Sequence, residues 1–251
     1  MNLKQKRESE TKKKKINIFV ISIIFVFTIL ICTLFLSAAT PTGPVVNITS
    51  NETKNTTSAA FVNTSGGYIS ALNLTATTQN YRWKAFVGWV NGKFTLDDVG
   101  GATIYDWSLA TTTGRVYSTR DSGTIEWNSI ACANRTTNLL TEQTNMFHNS
   151  SADNLTRTFQ YGTHNPFWAA GRFISGNTCP TINTYTNSVA QDAIFEEMAL
   201  YDATSIIYAT ILENRLAGYD GQAYDFQMLV PENGSQGFTG ATAYYLYVEL
   251  D

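Results

Sequence analysis

An almost unbroken apolar run over residues 16–39 constrains this chain more than any other feature. The run contains no charged residue, and about 20 such residues cross the roughly 30 Å hydrocarbon core of a bilayer as a helix. Four lysines lie directly before it: Lys12, Lys13, Lys14 and Lys15. The sequence therefore predicts a single-pass protein. Its N-terminus is expected in the cytoplasm, because basic residues stay on the cytoplasmic side of a span. Residues 1–15 form a basic cytoplasmic tail, and everything after residue 39 lies outside the cell.

A cleaved secretory signal is the alternative interpretation of the same run. Ser37, Ala38 and Ala39 are small residues of the kind found before a cleavage site. The apolar part of a signal peptide spans about 7–15 residues, and this run is longer. The length favours a retained signal-anchor helix, whereas cleavage would predict a secreted protein.

Charge divides unevenly between the two sides of the predicted membrane. The tail carries a net charge of about +5 and the remainder about −8. A basic tail suits anionic inner-leaflet lipids. An acidic exterior lacks the basic stripe that nucleic acid requires, so the membrane is a predicted partner and nucleic acid is not.

Two cysteines, Cys132 and Cys179, lie outside the predicted membrane span. An even pair in an oxidising compartment predicts a disulfide, which would stabilise the fold by roughly 4 kcal/mol on the chain-entropy model. The alternative, a catalytic thiol, needs a base, and only His148 and His164 are available. The disulfide is the favoured interpretation.

Asn-x-Ser/Thr acceptors for N-glycosylation occur nine times after the apolar run. They begin at Asn47, Asn51, Asn55, Asn63, Asn73, Asn134, Asn149, Asn154 and Asn233. Four of them fall within residues 40–67, a stretch rich in Thr, Ser and Asn with no hydrophobic periodicity. This composition predicts a glycosylated stalk.

Residues 68–251 predict one extracellular all-β domain, because short segments alternate between apolar and polar residues and turn residues separate them. Their spacing favours a β-sandwich or jelly roll. Strands are expected over residues 69–77, 81–90, 93–96, 102–109, 115–119, 124–131, 193–201, 205–212, 224–230 and 242–250.

Two turns and one insertion complete the predicted domain. Asn91-Gly92 predicts a hairpin, because both residues tolerate positive φ, and residues 202–204 predict another. Residues 133–178, between the cysteines, are expected to form a loop-rich insertion holding one short helix near 137–147.

Several aromatic-rich segments carry a resemblance to a known group. They are residues 81–88, 95–98, 104–109, 114–117, 127–134, 195–202, 224–232 and 244–249. Through them the chain resembles single-span, secreted or surface proteins of small-genome (DPANN-type) archaea. The resemblance implies an archaeal cell-surface setting and brings no functional residues with it.

Catalytic motifs for zinc, for a serine nucleophile elbow and for phosphate binding are absent from the sequence. His148 and His164 stand in loop contexts that predict ordinary surface histidines. Glu196 and Glu197 lie on one predicted strand and point to opposite faces, so one of them is expected to be partly buried. It would be an edge-facing charge, a hydrogen-bonded core carboxylate or an acid in a sugar cleft.

No cofactor is predicted, and calcium is the one candidate metal. Asp97, Asp98, Asp220 and Asp225 occur at turns, where aspartate usually caps the backbone; calcium needs several such oxygens to converge. The five tryptophans are expected either to fill the core or to stack on sugar rings. They are Trp83, Trp89, Trp107, Trp127 and Trp168.

Together these features favour a non-enzymatic, membrane-anchored, N-glycosylated surface protein with a structural, adhesive or ligand-binding role. Its expected partners are envelope proteins, glycans or another cell surface. An envelope or secreted glycan hydrolase that uses paired carboxylates is one alternative. A surface filament subunit assembled by strand addition at the last strand is another.

Overall fold

The structure is a computed structural model that describes residues 40–53, 61, 63–74, 80–109, 111–149, 151–160, 162–186, 189–190 and 194–251. The predicted tail and membrane span lie outside the described residues. Within the described part, no helix is both long and apolar enough to cross a bilayer. Residues 40–251 form one compact unit.

Short strands dominate this unit, which confirms the all-β class. In chain order they are β1 (Trp83–Gly88), β2 (Lys93–Asp97), β3 (Thr103–Ser108), β4 (Gly114–Thr119), β5 (Ala131–Cys132), β6 (Phe167–Ala169), β7 (Arg172–Ile174), β8 (Thr181–Asn183), β9 (Tyr185–Thr186), β10 (Val189–Ala190), β11 (Glu196–Tyr201), β12 (Ile206–Ile211), β13 (Leu216–Ala217), β14 (Ala223–Tyr224), β15 (Phe226–Pro231) and β16 (Tyr245–Leu250). Two short helices, α1 (Asn138–Asn145) and α2 (Leu155–Thr158), stand between β5 and β6.

The main sheet is antiparallel, with the strand order β16-β4-β12-β11-β5, and β8 also pairs with β11. Both of its faces are covered. On the first face, Val116, Ala199 and Tyr208 pack against residues of α1, α2 and β15. On the second face, Tyr117, Met198 and Ile207 pack against the β6–β7 hairpin. The central strands of the sheet are therefore buried on both faces.

The segment predicted as a loop-rich insertion, residues 133–178, supplies core residues to both faces of the sheet. Leu139 and Leu155 of the helices belong to the first core, whereas Phe167 and Ile174 of β6 and β7 belong to the second. The predicted short helix is confirmed as α1. The predicted hairpin at residues 202–204 is also confirmed, because β11 and β12 pair antiparallel on either side of it.

The predicted Asn91-Gly92 hairpin is wrong. β1 pairs with β15, and β2 pairs with β3. Neither Asn91 nor Gly92 has positive φ. Instead, the Val90 amide donates to Asp225 at 2.9 Å. Pairing with β15 places Phe86 against the first core.

Two other predicted strands differ from the structure. Of the predicted strand 69–77, residues 69–74 form no strand, and Ile69 and Leu74 are exposed, whereas residues 75–77 lie outside the described residues. Within 124–131, a 3-10 turn over Trp127–Ser129 precedes the two-residue β5. That turn places Trp127 edge-on against Tyr117.

The start of the predicted stalk contacts the main sheet. Thr42 exchanges two backbone hydrogen bonds with Val248 of β16, at 2.9 and 2.8 Å. Pro41 beside it is buried, whereas the described residues 43–53 are exposed. The outer edge of β16 is thus covered at this one point by its own chain.

Candidate functional site

A polar cleft of about 300 Å³ lies between α1, the end of β4 and the β11–β12 turn. Helix α1 lines it with the residues that its spacing places on one face: Asn138, Thr141, Glu142 and Asn145. Leu139, one turn before Glu142, borders this face and lies in the first core. The polar face of the helix thus forms one wall of the cleft.

The turn before α1 fixes the position of the helix. Asn134 accepts hydrogen bonds from the amides of Thr136 and Thr137 at 2.9 and 3.2 Å. In return, the side chain of Asn138 accepts from the Asn134 amide at 2.7 Å. These side-chain hydrogen bonds satisfy backbone N–H groups in the turn that precedes the helix.

A bidentate ion pair joins the helix to the sheet across the cleft. Arg120 Nε and Nη2 donate to the two carboxylate oxygens of Glu142 at 2.7 and 2.6 Å. Glu142 is 8% exposed, and the Arg120 side chain is 30% exposed. The hydrogen bond to Glu142 raises the pKa of Arg120, so the guanidinium stays charged. Among the described residues, the remaining N–H groups of the guanidinium, on the side away from Glu142, meet no acceptor.

The facing wall comes from residues next to Arg120 and from the β11–β12 turn. Ser205 donates its hydroxyl to Asp121 at 2.5 Å, and the Gly123 amide donates to the same carboxylate at 2.8 Å. The Ser205 hydrogen bond is the main cause that lowers the pKa of Asp121. Two carboxylates, Asp121 and Glu142, and one guanidinium, Arg120, give the lining of the cleft a formal charge of −1.

The residues that line the cleft can bind a ligand through hydrogen bonds. Carboxylates accept, the guanidinium donates, and the amides and hydroxyls of Asn145 and Thr204 do both. No histidine, cysteine or lysine lines it. In the described part of the chain, no group of three or more His, Cys, Asp or Glu residues is placed to hold a metal ion.

The structure places Glu196 and Glu197 on opposite faces of β11, but it buries both, at 4% and 0% exposure. Glu196 accepts from the amide and the side chain of Asn165, at 3.0 and 3.2 Å. Glu197 accepts from the Leu229 amide at 2.7 Å. They do not converge and neither lines the polar cleft, so the cleft takes its carboxylates from positions that sequence reasoning missed.

Burial raises the pKa of the Glu197 carboxyl well above its usual value, and this predicts a pH-dependent stability. In the unfolded chain this carboxyl releases its proton at about pH 4.3, whereas the folded protein retains the proton to higher pH. The folded state therefore binds more protons in that interval, and stability falls as pH rises from about 4.3 toward the folded pKa. We expect Glu197→Gln, which keeps an acceptor for Leu229, to raise the Tm at pH 8.

Thermal unfolding at pH 8 and pH 4 tests this expectation. Each kcal/mol gained corresponds to a Tm increase of about 2–4 °C for a domain of this size, and the gain should vanish at pH 4. Glu126→Gln, at an exposed position, is the control. An equal change at both pH values would contradict the assigned cause.

Both histidines are buried, at 0% and 3% exposure, so the prediction of surface histidines is wrong. His164 Nε2 accepts from the amides of Thr178 and Cys179, both at 3.0 Å, so its Nδ1–H donates to the Asn165 carbonyl at 2.8 Å. His148 Nε2 lies 2.7 Å from the Glu232 carbonyl, and desolvation lowers its pKa. Each ring satisfies backbone groups in a loop.

The calcium candidates are dispersed, and most serve the backbone. Asp98 accepts from the amides of Gly100 and Ala102. Asp220 accepts from Gln222, and the buried Asp225 accepts from the Val90 amide. Asp97 is exposed beside Asp98. These contacts show that the aspartate side chains cap backbone amides.

The tryptophans divide between core and surface. Trp83 and Trp127 are half-buried against the two cores. Trp89 lies beyond the end of β1 and is 45% exposed, so it does not fill the core. Trp107 and Trp168 are 44% and 52% exposed.

The structure contains the disulfide between Cys132 and Cys179. Of the sequon asparagines, Asn154 is 8% exposed, and its side chain accepts from the Arg157 amide at 3.0 Å as the N-cap of α2. Asn55 lies outside the described residues and Asn233 is half-buried. The others are exposed: Asn47, Asn51, Asn63, Asn73, Asn134 and Asn149.

Comparisons with protein families, with curated proteins and with solved structures found no match for this chain.

Proposed function

We propose that this chain is a membrane-anchored, N-glycosylated cell-surface protein whose β domain binds glycans in the polar cleft. The anchor and its orientation are supported by the apolar run and the lysines before it. The archaeal setting is supported by the sequence resemblance alone. The two covered faces of the main sheet are consistent with a sandwich-like module.

The observation that carries the proposal is the Arg120–Glu142 pair at the wall of the cleft. Bringing charges out of water costs several kcal/mol for each ion, and a buried pair is weak evidence for stability. Here the pair lies beside open space and leaves guanidinium donors directed away from Glu142. Pairing also fixes the rotamers of both side chains, which prepares them for a ligand.

The charges favour a neutral ligand rich in hydroxyl groups. A net negative cleft disfavours phosphate and carboxylate ligands. Each sugar hydroxyl both donates and accepts, as Asp121, Arg120 and Asn145 together require. Half-buried Tyr201 adds an aromatic surface to the lining, and a volume of about 300 Å³ is at the small end of ligand sites. One or two sugar rings would fill it.

Asn145→Ala is expected to weaken glycan binding about tenfold, because one hydrogen-bonding side chain is worth about 1–1.5 kcal/mol. Asn145 is exposed at the end of α1, so the Tm should stay within about 1 °C of wild type. Glu142→Gln should weaken binding further, because it removes the charge that orients Arg120. A glycan array, followed by calorimetric titration of the best binder, measures both effects.

Asn128→Ala, at an exposed position outside the cleft, is the matched control and should bind as wild type. Equal binding by all three variants would contradict the proposed site. Release of new reducing ends from a bound glycan would favour the hydrolase alternative instead.

A filament subunit assembled by strand addition is the second candidate. β16 lies at the edge of the main sheet, and among the described residues its outer side pairs only at Val248, with Thr42. A sheet edge of this kind can accept a strand from another chain.

A further inference from the structure

One sequon asparagine lies at the edge of the polar cleft. Asn134 begins the sequence Asn-Arg-Thr and is exposed. Its backbone amide donates to the side chain of Asn138 at 2.7 Å, and Asn138 lines the cleft. A sugar attached to Asn134 would therefore start beside the wall of the cleft.

The strand before Asn134 fixes its position from the other side. Ala131 of β5 pairs with Tyr201 of β11, and Tyr201 lines the cleft as well. The Asn134 carbonyl accepts from the Leu139 amide of α1 at 3.0 Å. Asn134 is thus held between a strand and a helix that both lie at the cleft.

The side chain of Asn134 is arranged so that its nitrogen can carry a sugar. Its Oδ1 atom accepts from the amide and the hydroxyl of Thr136 at 2.9 and 2.8 Å, and from the Thr137 amide at 3.2 Å. In the described part of the chain, Nδ2 donates to no acceptor. An N-linked sugar is attached through this nitrogen, so the turn keeps its hydrogen bonds in the modified chain.

The sequon at the other end of α1 lacks such a contact. Asn149 is hydrogen-bonded to Gln143 and Thr144, and neither of them lines the cleft. Among the sequon asparagines that the structure describes, only Asn134 is hydrogen-bonded to a residue of the cleft lining. Asn149 is therefore a natural control for Asn134.

We propose that the glycan on Asn134 occupies the polar cleft of its own chain. This inference rests on the proposed glycan-binding function, and it names the ligand as an N-linked glycan attached at the rim. Arg120, Glu142 and Asn145 supply the donors and acceptors that sugar hydroxyls require. Because the sugar is attached through an amide, the linkage brings no charge into the cleft.

Attachment favours occupancy even where the affinity for free sugar is weak. A ligand on a short flexible tether reaches an effective concentration in the millimolar range. A free glycan must then compete with the attached one. For a free glycan with a Kd of about 0.1 mM, an attached competitor of equal affinity at about 1 mM raises the apparent Kd about tenfold.

Calorimetric titration of the glycosylated full-length chain tests the proposal. The probe is the glycosyl-asparagine that exhaustive proteolysis releases from the Asn134 glycopeptide of the wild-type chain. Asn134→Gln and Thr136→Ala both remove the sequon, and Thr136→Ala keeps the Asn134 side chain. Thr136→Ser keeps the sequon and the hydroxyl, and Asn149→Gln removes a glycan that does not contact the lining, so these two variants are the matched controls.

We expect Asn134→Gln and Thr136→Ala to bind the probe about tenfold more tightly than wild type, whereas Thr136→Ser and Asn149→Gln should bind as wild type does. The wild-type Kd should not change on dilution of the protein, because the competitor belongs to the same chain. Mass spectrometry of each chain establishes which asparagines carry sugar.

Equal binding of the probe by all of these chains would overturn this inference and leave the glycan-binding function standing. A wild-type Asn134 without sugar, or a wild-type Kd that changes on dilution, would have the same consequence. If no chain binds the probe and the glycan array is blank, the proposed function fails as well. A positive array without probe binding would overturn only the assignment of the Asn134 glycan.

Discussion

Replacing both Cys132 and Cys179 with serine is expected to lower the free energy of unfolding by about 4 kcal/mol. The two residues are 47 positions apart, and closing a loop of that length removes much of the entropy of the unfolded chain. The enclosed segment supplies helices to one face of the main sheet and the β6–β7 hairpin to the other. Loss of the disulfide therefore weakens the packing of this segment against both cores.

Urea unfolding followed by tryptophan fluorescence measures this loss as a lower midpoint. Cys32→Ser is the control, because it removes a cysteine without touching the disulfide, and it should leave the midpoint unchanged. Reducing agent should destabilise the wild-type domain and leave the double serine variant unaffected. A midpoint that does not respond to either change would contradict the predicted contribution.

Glu249→Ala is expected to cost about 3–5 kcal/mol, because it breaks a buried charged network. Glu249 is 5% exposed and lies beside Arg115, whose side chain is equally buried, with a closest N···O distance of 3.9 Å. The carboxylate also accepts from the Tyr117 hydroxyl and from the Ala170 amide at 3.0 Å. Alanine leaves these donors without an acceptor, and each unmet buried group costs about 1–3 kcal/mol.

The same network holds the β6–β7 hairpin on the sheet, since Arg115 donates to the Trp168 carbonyl. We therefore expect Glu249→Ala to release this hairpin as well, and hydrogen exchange should quicken at the Ala170 amide. Asp106→Ala is the contrasting control, because its ion pair with Lys93 has side chains 45% and 53% exposed. Exposed pairs contribute only about 0–1 kcal/mol. Similar losses from both variants would contradict the assigned role of burial.

The sequence predicted those elements of the fold whose signals are local. Helix α1 and the β11–β12 hairpin were predictable, because each carries its own periodicity and its own turn. The Asn91-Gly92 hairpin failed for the opposite reason. Its turn chemistry was favourable, but β1 pairs with β15, and no local sequence signal indicates a partner so distant in the sequence.

The candidate site was missed although part of its signal was present. Asn138, Thr141, Glu142 and Asn145 follow the spacing of one helix face, and a polar stripe of that kind can be recognised within a predicted helix. The partner of Glu142 could not be predicted, because Arg120 reaches it only after β4 and α1 pack together. The histidines show the same limit, since their partners are backbone groups of distant loops.

The position of β4 between β12 and β16 also governs how the domain folds. Tyr117 of β4 and Glu249 beside it are 132 residues apart in the chain, so the centre of the sheet brings together two distant parts of the sequence. Domains built on such non-local pairing fold slowly, over about milliseconds to seconds, because chain entropy is lost before the contacts form. During that interval the apolar strands face water, so the folding domain is exposed to aggregation until β16 has paired with β4.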